Sequence, residues 1–261
     1  MNILITGGHS GMGLELSKMV LDRGYKLGLI VRSESRKKDA ERLFTGENLP
    51  DMFVADLGKR NEIESVAGAI SKKWDKLDGL FNNAGVLLDK LYTSDYGNEL
   101  QLEINAISPY LLTKALKPLL DKAESPFIVN TVTSGLDKKK TIDISSFKQP
   151  EKFTKLTGSY VDSKLTFLLL MNNLSKDWDN ARIVNVDPGA IKTKMTAGDG
   201  MPFWLKPIRN LFFKSPQEGA KRLYEAAFEK YLSDSGIYVS SGKIRSLDME
   251  ISEAEIKELL S

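Results

Sequence analysis

Thr6-Gly7-Gly8-His9-Ser10-Gly11-Met12-Gly13 is the stretch that decides the fold of this 261-residue chain. A short apolar run at 2–6 precedes it and an amphipathic stretch at 11–23 follows, which read as a strand and a helix. The glycines therefore fall where the chain leaves a strand, turns tightly and enters a helix. Without side chains the turn lets an anionic group approach the backbone, and the helix N-terminus offers free N–H donors with partial positive charge. This arrangement suits a pyrophosphate. A glycine turn alone is a common structural feature, but its place at the first strand-to-helix junction, with further such units behind it, points to a dinucleotide.

Outward from the turn, β-rich runs alternate with amphipathic stretches. Strands are expected at 2–6, 26–31, 52–55, 79–82, 127–133, 181–186 and 236–240, and helices at 11–23, 35–44, 59–74, 96–121, 157–178 and 216–231. Alternation of this kind builds a parallel sheet. The expected fold is α/β: one Rossmann-type, doubly wound domain over 1–261, with about seven parallel strands and helices on both faces. Two segments interrupt the alternation. Residues 136–156 are polar, headed by Lys138 to Lys140, and read as a solvated loop; residues 190–215 are rich in Met, Phe, Trp and Pro.

Composition narrows the chemistry. The 37 basic and 35 acidic residues are interspersed, with a net charge of +2, so no nucleic-acid surface is indicated. With no cysteine and a single histidine, His9, the chain offers no disulfide, no thiolate, no metal cluster and no Ser/His/Asp triad. No basic-then-apolar leader precedes the first strand, and the longest apolar run, 167–171, is too short to span a bilayer. A cytoplasmic protein without integral membrane association is expected.

The end of the second strand discriminates between cofactors, because a carboxylate there suits a ribose 2′-OH and arginine suits a 2′-phosphate. Here the strand ends in Arg32-Ser33, with Arg36 and Lys37 one turn on and Glu34 the nearest carboxylate. Arginine can match phosphate with two parallel hydrogen bonds. NADP(H) is therefore favoured over NAD(H). His9, inside the glycine turn, reads as a polar loop side chain near phosphate or solvent, without a catalytic role.

Tyr160 and Lys164 are four residues apart on a helical stretch, so they share a face. Tyrosine titrates near pH 10 and serves neutral-pH proton transfer only if its phenolate is stabilised. A fixed ammonium, helped by an oxidised nicotinamide ring, is expected to lower that pKa and let Tyr160 act as general acid or base. Tyr-x-x-x-Lys alone is weak; behind a dinucleotide turn it carries weight.

These motifs together resemble the short-chain dehydrogenases/reductases over nearly the whole chain. The matching residues are Thr6-Gly7-x-x-x-Gly11-x-Gly13, Asp56-Leu57, Asn82-Asn83-Ala84-Gly85, Asn105, Tyr160-x-x-x-Lys164 and Pro188-Gly189-x-Ile191-x-Thr193. The resemblance implies that Asp56 and Leu57 sit against the adenine, that Asn83, Ala84 and Gly85 line the ribose, and that Ile191 and Thr193 hold the nicotinamide carboxamide. It also implies a catalytic tetrad including Asn105, Tyr160 and Lys164. Pro109 supplies a local reason for Asn105, since it lacks the N–H that would bond the Asn105 carbonyl. The family's serine, counted from Asn130, falls on Thr133 with Ser134 next. Ungapped register favours Thr133, and a one-residue bulge would substitute Ser134. The stretch 203–227 and Ser235 to Ser240 resemble the retinol-dehydrogenase-like branch.

Substrate is expected over the nicotinamide, under Met195, Met201, Phe203, Trp204, Leu205, Ile208, Leu211, Phe212 and Phe213. These residues suggest an apolar lid over a small carbonyl compound or alcohol; a core-packed amphipathic helix or a membrane-touching one are the alternatives. A homodimer or homotetramer is carried as the assembly. The rival function is a catalytically silent dinucleotide sensor on the same fold, with a nucleotide-sugar epimerase or dehydratase behind it.

Overall fold

The computed structural model describes residues 1–46, 48–141, 143–202, 204, 209 and 211–261. Seven parallel strands lie in the order β3-β2-β1-β4-β5-β6-β7, with an eighth, antiparallel strand on the β7 edge. They are β1 (Asn2–Thr6), β2 (Lys26–Val31), β3 (Asp51–Val54), β4 (Gly79–Asn82), β5 (Phe127–Thr131), β6 (Arg182–Val186), β7 (Ile237–Ser240) and β8 (Lys243–Arg245). The main helices are α1 (Gly11–Asp22), α2 (Glu34–Glu41), α3 (Arg60–Lys73), α4 (Ser108–Leu120), α5 (Val161–Lys176), α6 (Pro216–Phe228) and α7 (Glu253–Leu260).

The strands read as continuous apolar runs because both faces of the sheet are covered. Period-2 alternation divides their side chains between two cores. Leu4, Leu80, Ile128 and Ile183 pack with α3, α4 and α5, through Ile63, Leu112 and Leu168. Ile3, Ile5, Phe81, Val129 and Val184 pack with α1 and α6, through Leu16, Val20 and Leu223. Strand order reverses between β1 and β4, so the loops at their C-terminal ends diverge and leave a crevice.

Several expected boundaries shift, each for a local reason. Strand 127–133 stops at Thr131, with one further rung from Val132 N–H to the Val186 carbonyl at 3.0 Å, because β6 ends there. The helix expected from 96 starts at Leu100 and passes through a π-helical turn, Glu103–Ile107, just before Pro109, which has no N–H to continue the α pattern. The helix expected from 157 begins with another π-helical turn, Lys155–Tyr160, broken at Gly158. The polar loop 136–156 contains a short helix, Ile144–Lys148, capped by Asp143.

Beyond β8 the chain forms a strap. Nine consecutive residues of α5, Ser163 to Met171, are buried, so this helix is covered all round. Leu247, Met249, Ile251, Ile256 and Leu259 of the strap join the same apolar cluster. Lys176 pairs with Glu250 at 2.8 Å, while Arg60 donates to the carbonyls of Leu259 and Leu260 and caps the end of α7. Among the described residues no helix is long and apolar enough to cross a membrane.

Candidate active site

The glycine turn sits at the crevice as a rigid cradle. Gly7 has φ +67°, a left-handed backbone that suits glycine, and a Cβ on Gly13 would lie 2.4 Å from the Gly7 carbonyl oxygen and 2.6 Å from Asn83 Nδ2. Thr6 Oγ1 accepts from the N–H groups of Asn83 (3.0 Å) and Ala84 (2.9 Å), and Asn83 Nδ2 donates to the Thr6 carbonyl at 3.0 Å. The β1 and β4 loops are thereby one unit. Ser10, the residue before α1, makes no side-chain cap, and the first turn of α1 holds no acidic residue. Its N–H donors thus face the crevice without a protein anion, as a pyrophosphate requires.

Arg32 is exposed at the end of β2, and Ser33 caps α2 by accepting from Arg36 N–H at 3.3 Å. The Nδ1 atom of His9 is buried without a partner. Burial holds the His9 pKa below its ordinary value, and the cations Arg36 and Lys194 lower it further against an opposing pull from Asp39. Asp56 Oδ1 accepts from Gly58 N–H at 2.9 Å, and Leu57 is buried in the core beneath the expected adenine position.

The candidate proton-transfer residues meet at the C-terminal ends of β4 and β5. Lys164 is 3% exposed, and its Nζ donates to the Thr131 carbonyl at 2.8 Å. A methyl group placed on Gly85 would lie 3.1 Å from Asn105 Oδ1 and 3.4 Å from Lys164 Nζ, so these three residues share one corner. Asn105, fully buried on the π-helical turn, accepts from Val86 N–H at 2.8 Å and donates to Ser163 Oγ at 3.1 Å. Ser163 Oγ in turn donates to the Tyr160 carbonyl at 2.7 Å. Ser163, absent from the sequence expectations, thus ties Asn105 to the start of α5; only its place inside Tyr160-x-x-x-Lys164 could have marked it.

Burial displaces two titrations at this corner. Burial, followed by the nearby Asp187 carboxylate, pushes the Tyr160 phenol up to about 12, although the ring keeps partial exposure to the crevice. Burial lowers Lys164 to about 8. Lys164 Nζ is turned to the Thr131 carbonyl, and the Tyr160 phenol stands near the Asp187 carboxylate.

Thr133 and Ser134 lie past the end of β5. Thr133 is half-buried and its carbonyl accepts from Tyr238 Oη at 2.7 Å; Ser134 is exposed. On the nicotinamide side, Asp187 Oδ1 accepts from Gly189 N–H at 2.8 Å, shaping the Pro188-Gly189 turn. Ile191 is buried, and Thr193 and Thr196 form a reciprocal capping box at the helix Lys194–Ala197. Thr193 Oγ1 accepts there from Thr196 N–H at 3.3 Å.

The segment 190–215 closes on itself at its base, where Lys214 N–H bonds the Ala190 carbonyl and Lys192 N–H the Lys214 carbonyl, both at 2.8 Å. Gly200 packs so closely on Leu87 that a Cβ would lie 2.2 Å from its carbonyl oxygen, and Lys155 Nζ donates to the Asp199 carbonyl at 2.8 Å. Met201 is buried, whereas Trp204, Leu211 and Phe212 are 57%, 80% and 74% exposed. Phe203, Leu205 and Ile208 lie outside the described residues.

Residues 1–200 match the family model described as short chain dehydrogenase. Human retinol dehydrogenase 14 is 28% identical over 268 residues, which cover 94% of this chain and 79% of that protein. Among solved structures, a short chain dehydrogenase of Shigella flexneri complexed with NADP aligns with a TM-score of 0.70 at 22% identity, over 91% of this chain and 95% of that one. Salutaridine reductase of Papaver somniferum aligns with a TM-score of 0.71 at 20% identity, over 92% and 99%. With the glycine cradle and the Asn105, Tyr160 and Lys164 corner joined on one sheet, and the family model spanning three-quarters of the length, the chain belongs to the short-chain dehydrogenase family of oxidoreductases.

Proposed function

We propose that this protein is an NADP(H)-dependent oxidoreductase that interconverts a carbonyl and an alcohol in an apolar small molecule, with Tyr160 as general acid and base. The carrying observation is the meeting of Tyr160, Lys164 and Asn105 beside the glycine cradle. The nicotinamide cofactor, when bound, supplies or takes the hydride. Thr6, Gly7, Ser10, Gly11, Met12 and Gly13 would hold its pyrophosphate, and Arg32 with His9 the 2′-phosphate. Asp56, Asn83 and Gly85 would meet the nucleoside portions, and Pro188, Gly189, Ile191 and Thr193 the carboxamide. Relatives of the same fold complexed with NADP or NADPH support this choice of cofactor.

A phenol at about 12 keeps its proton at neutral pH, and its transfer to a carbonyl oxygen that gains negative charge requires that Lys164 and the bound nicotinamide stabilise the phenolate. The Thr133 or Ser134 hydroxyl would hydrogen-bond the same oxygen and polarise it. Lys164 stands behind Tyr160 as the nearby cation, and the segment 190–215 would exclude water above the substrate. A dinucleotide sensor has no use for a buried Lys164 in the same corner as Asn105, so turnover is the preferred reading.

A panel of aldehydes, ketones and alcohols, retinal and retinol among them, with NADPH and NADH tests it. Consumption of NADPH with at least one carbonyl compound is expected. Tight NADPH binding with no turnover across the panel would replace this reading by the sensor.

A further inference from the structure

Tyr238 and Ser240 stand two residues apart on β7, and therefore on one face of the sheet. Both are buried, at 1% and 6% exposure. Their hydroxyls donate to different acceptors. Tyr238 Oη donates to the Thr133 carbonyl at 2.7 Å, and Ser240 Oγ donates to Asp187 Oδ2 at 2.8 Å. Asp187 passes that contact on through Oδ1 to Gly189 N–H at 2.8 Å, while its own N–H bonds the Val239 carbonyl at 2.8 Å.

The fold itself has no need of these hydroxyls. Phenylalanine and alanine would fill the same space in β7 without the cost of desolvating a polar group. What the hydroxyls do is hold two loops that the sheet has released. The last sheet rung beyond β5 is the Val132 N–H bond, so the Thr133 carbonyl lies past the ladder, and Tyr238 supplies its partner. The turn at Pro188 leaves β6 in the same way and is held through Asp187.

We propose that Tyr238 is a positioning residue: its hydroxyl fixes the exit from β5 so that the Thr133–Ser134 hydroxyls face the substrate oxygen. Ser240, through Asp187, sets the opposing Pro188-Gly189 turn, so one face of β7 fixes the separation between the substrate oxygen and the nicotinamide. This inference rests on the function proposed above.

The test uses the full chain with Tyr238→Phe, Ser240→Ala and, alongside, Tyr160→Phe. NADPH is the cofactor and nonanal the carbonyl probe, and amide hydrogen exchange is followed without substrate. In Tyr238→Phe, exchange at residues 133–136 should rise while that at 187–189 stays as in the wild type. Turnover should fall about tenfold, the scale of one buried hydrogen bond, with NADPH affinity and Tm nearly unchanged. The kinetic isotope effect with deuterated NADPH should grow as hydride transfer becomes limiting. Ser240→Ala should instead loosen 187–189 and weaken NADPH several-fold. Unchanged exchange at 133–136 in Tyr238→Phe overturns the proposal, whether or not nonanal is turned over. So does full turnover in Tyr238→Phe where Tyr160→Phe has lost it. Retained turnover in Tyr160→Phe would instead overturn the function, and the exchange data would still decide the role of Tyr238.

Discussion

Lys164 holds its ammonium in a space 3% exposed, with the Thr131 carbonyl as its hydrogen-bond acceptor. Burial favours the neutral amine, so its proton leaves at about 8. Because the unfolded chain holds that proton more tightly, this residue adds stability as pH rises from about 8 toward the ordinary lysine value. Activity should run the other way. If the cation is needed beside Tyr160, kcat/KM for carbonyl reduction is flat below about 8 and falls above it, and Lys164→Arg, always charged, removes that limb. A wild-type profile level to pH 10 would contradict this role; Tyr160, at about 12, contributes no limb there. Arg32→Ala should weaken NADPH at least about tenfold more than NADH, given the strength of a charge-assisted hydrogen bond; equal losses would show that Arg32 does not meet the 2′-phosphate. Comparing Thr133→Ala with Ser134→Ala should single out one hydroxyl by its loss of turnover. The sequence left that pair open because both lie past the last strand rung, where register no longer fixes which way a side chain points. Tyr160 and Lys164 were legible from their spacing. The direction of their pKa shifts was not, since Asp187 and the surrounding burial come from other elements.

At the scale of elements, the parallel strands were legible because each is an apolar run buried on both faces. β8 was not, since all three of its residues are exposed and no periodicity marks them. α7 carried a readable mark, the Ser252 and Glu255 capping box, at the head of an amphipathic turn. The π-helical turn bearing Asn105 is held by an ion pair that spacing could not reveal. Arg60 Nε and Nη2 donate to the two oxygens of Glu103 at 2.7 and 3.0 Å, with Glu103 fully buried. Arg60→Ala leaves that carboxylate, among the described residues, with Asn98 as its one side-chain donor and uncaps α7. The expected cost is about 3 to 5 kcal/mol, seen as a fall in Tm of about 10 °C. A Tm within about 2 °C of the wild type would show the pair to be dispensable.

Over the whole molecule, a doubly wound parallel sheet followed from alternation, and the glycine turn marked its first strand-to-helix junction. The strap did not, because its work is to cover a helix far away in sequence. It packs in the same apolar cluster as the buried residues of α5. The substrate stays the least legible part, since apolar side chains over the crevice specify shape rather than chemistry. What the molecule as a whole presents is a glycine cradle and the Asn105, Tyr160 and Lys164 corner on one sheet. The most direct measurement is NADPH consumption by wild type and Tyr160→Phe with the same carbonyl substrate, alongside NADPH dissociation constants. Turnover should fall at least about a hundredfold with the dissociation constant unchanged, and turnover kept within about twofold of the wild type, well below the scale of a lost general acid, would contradict the account.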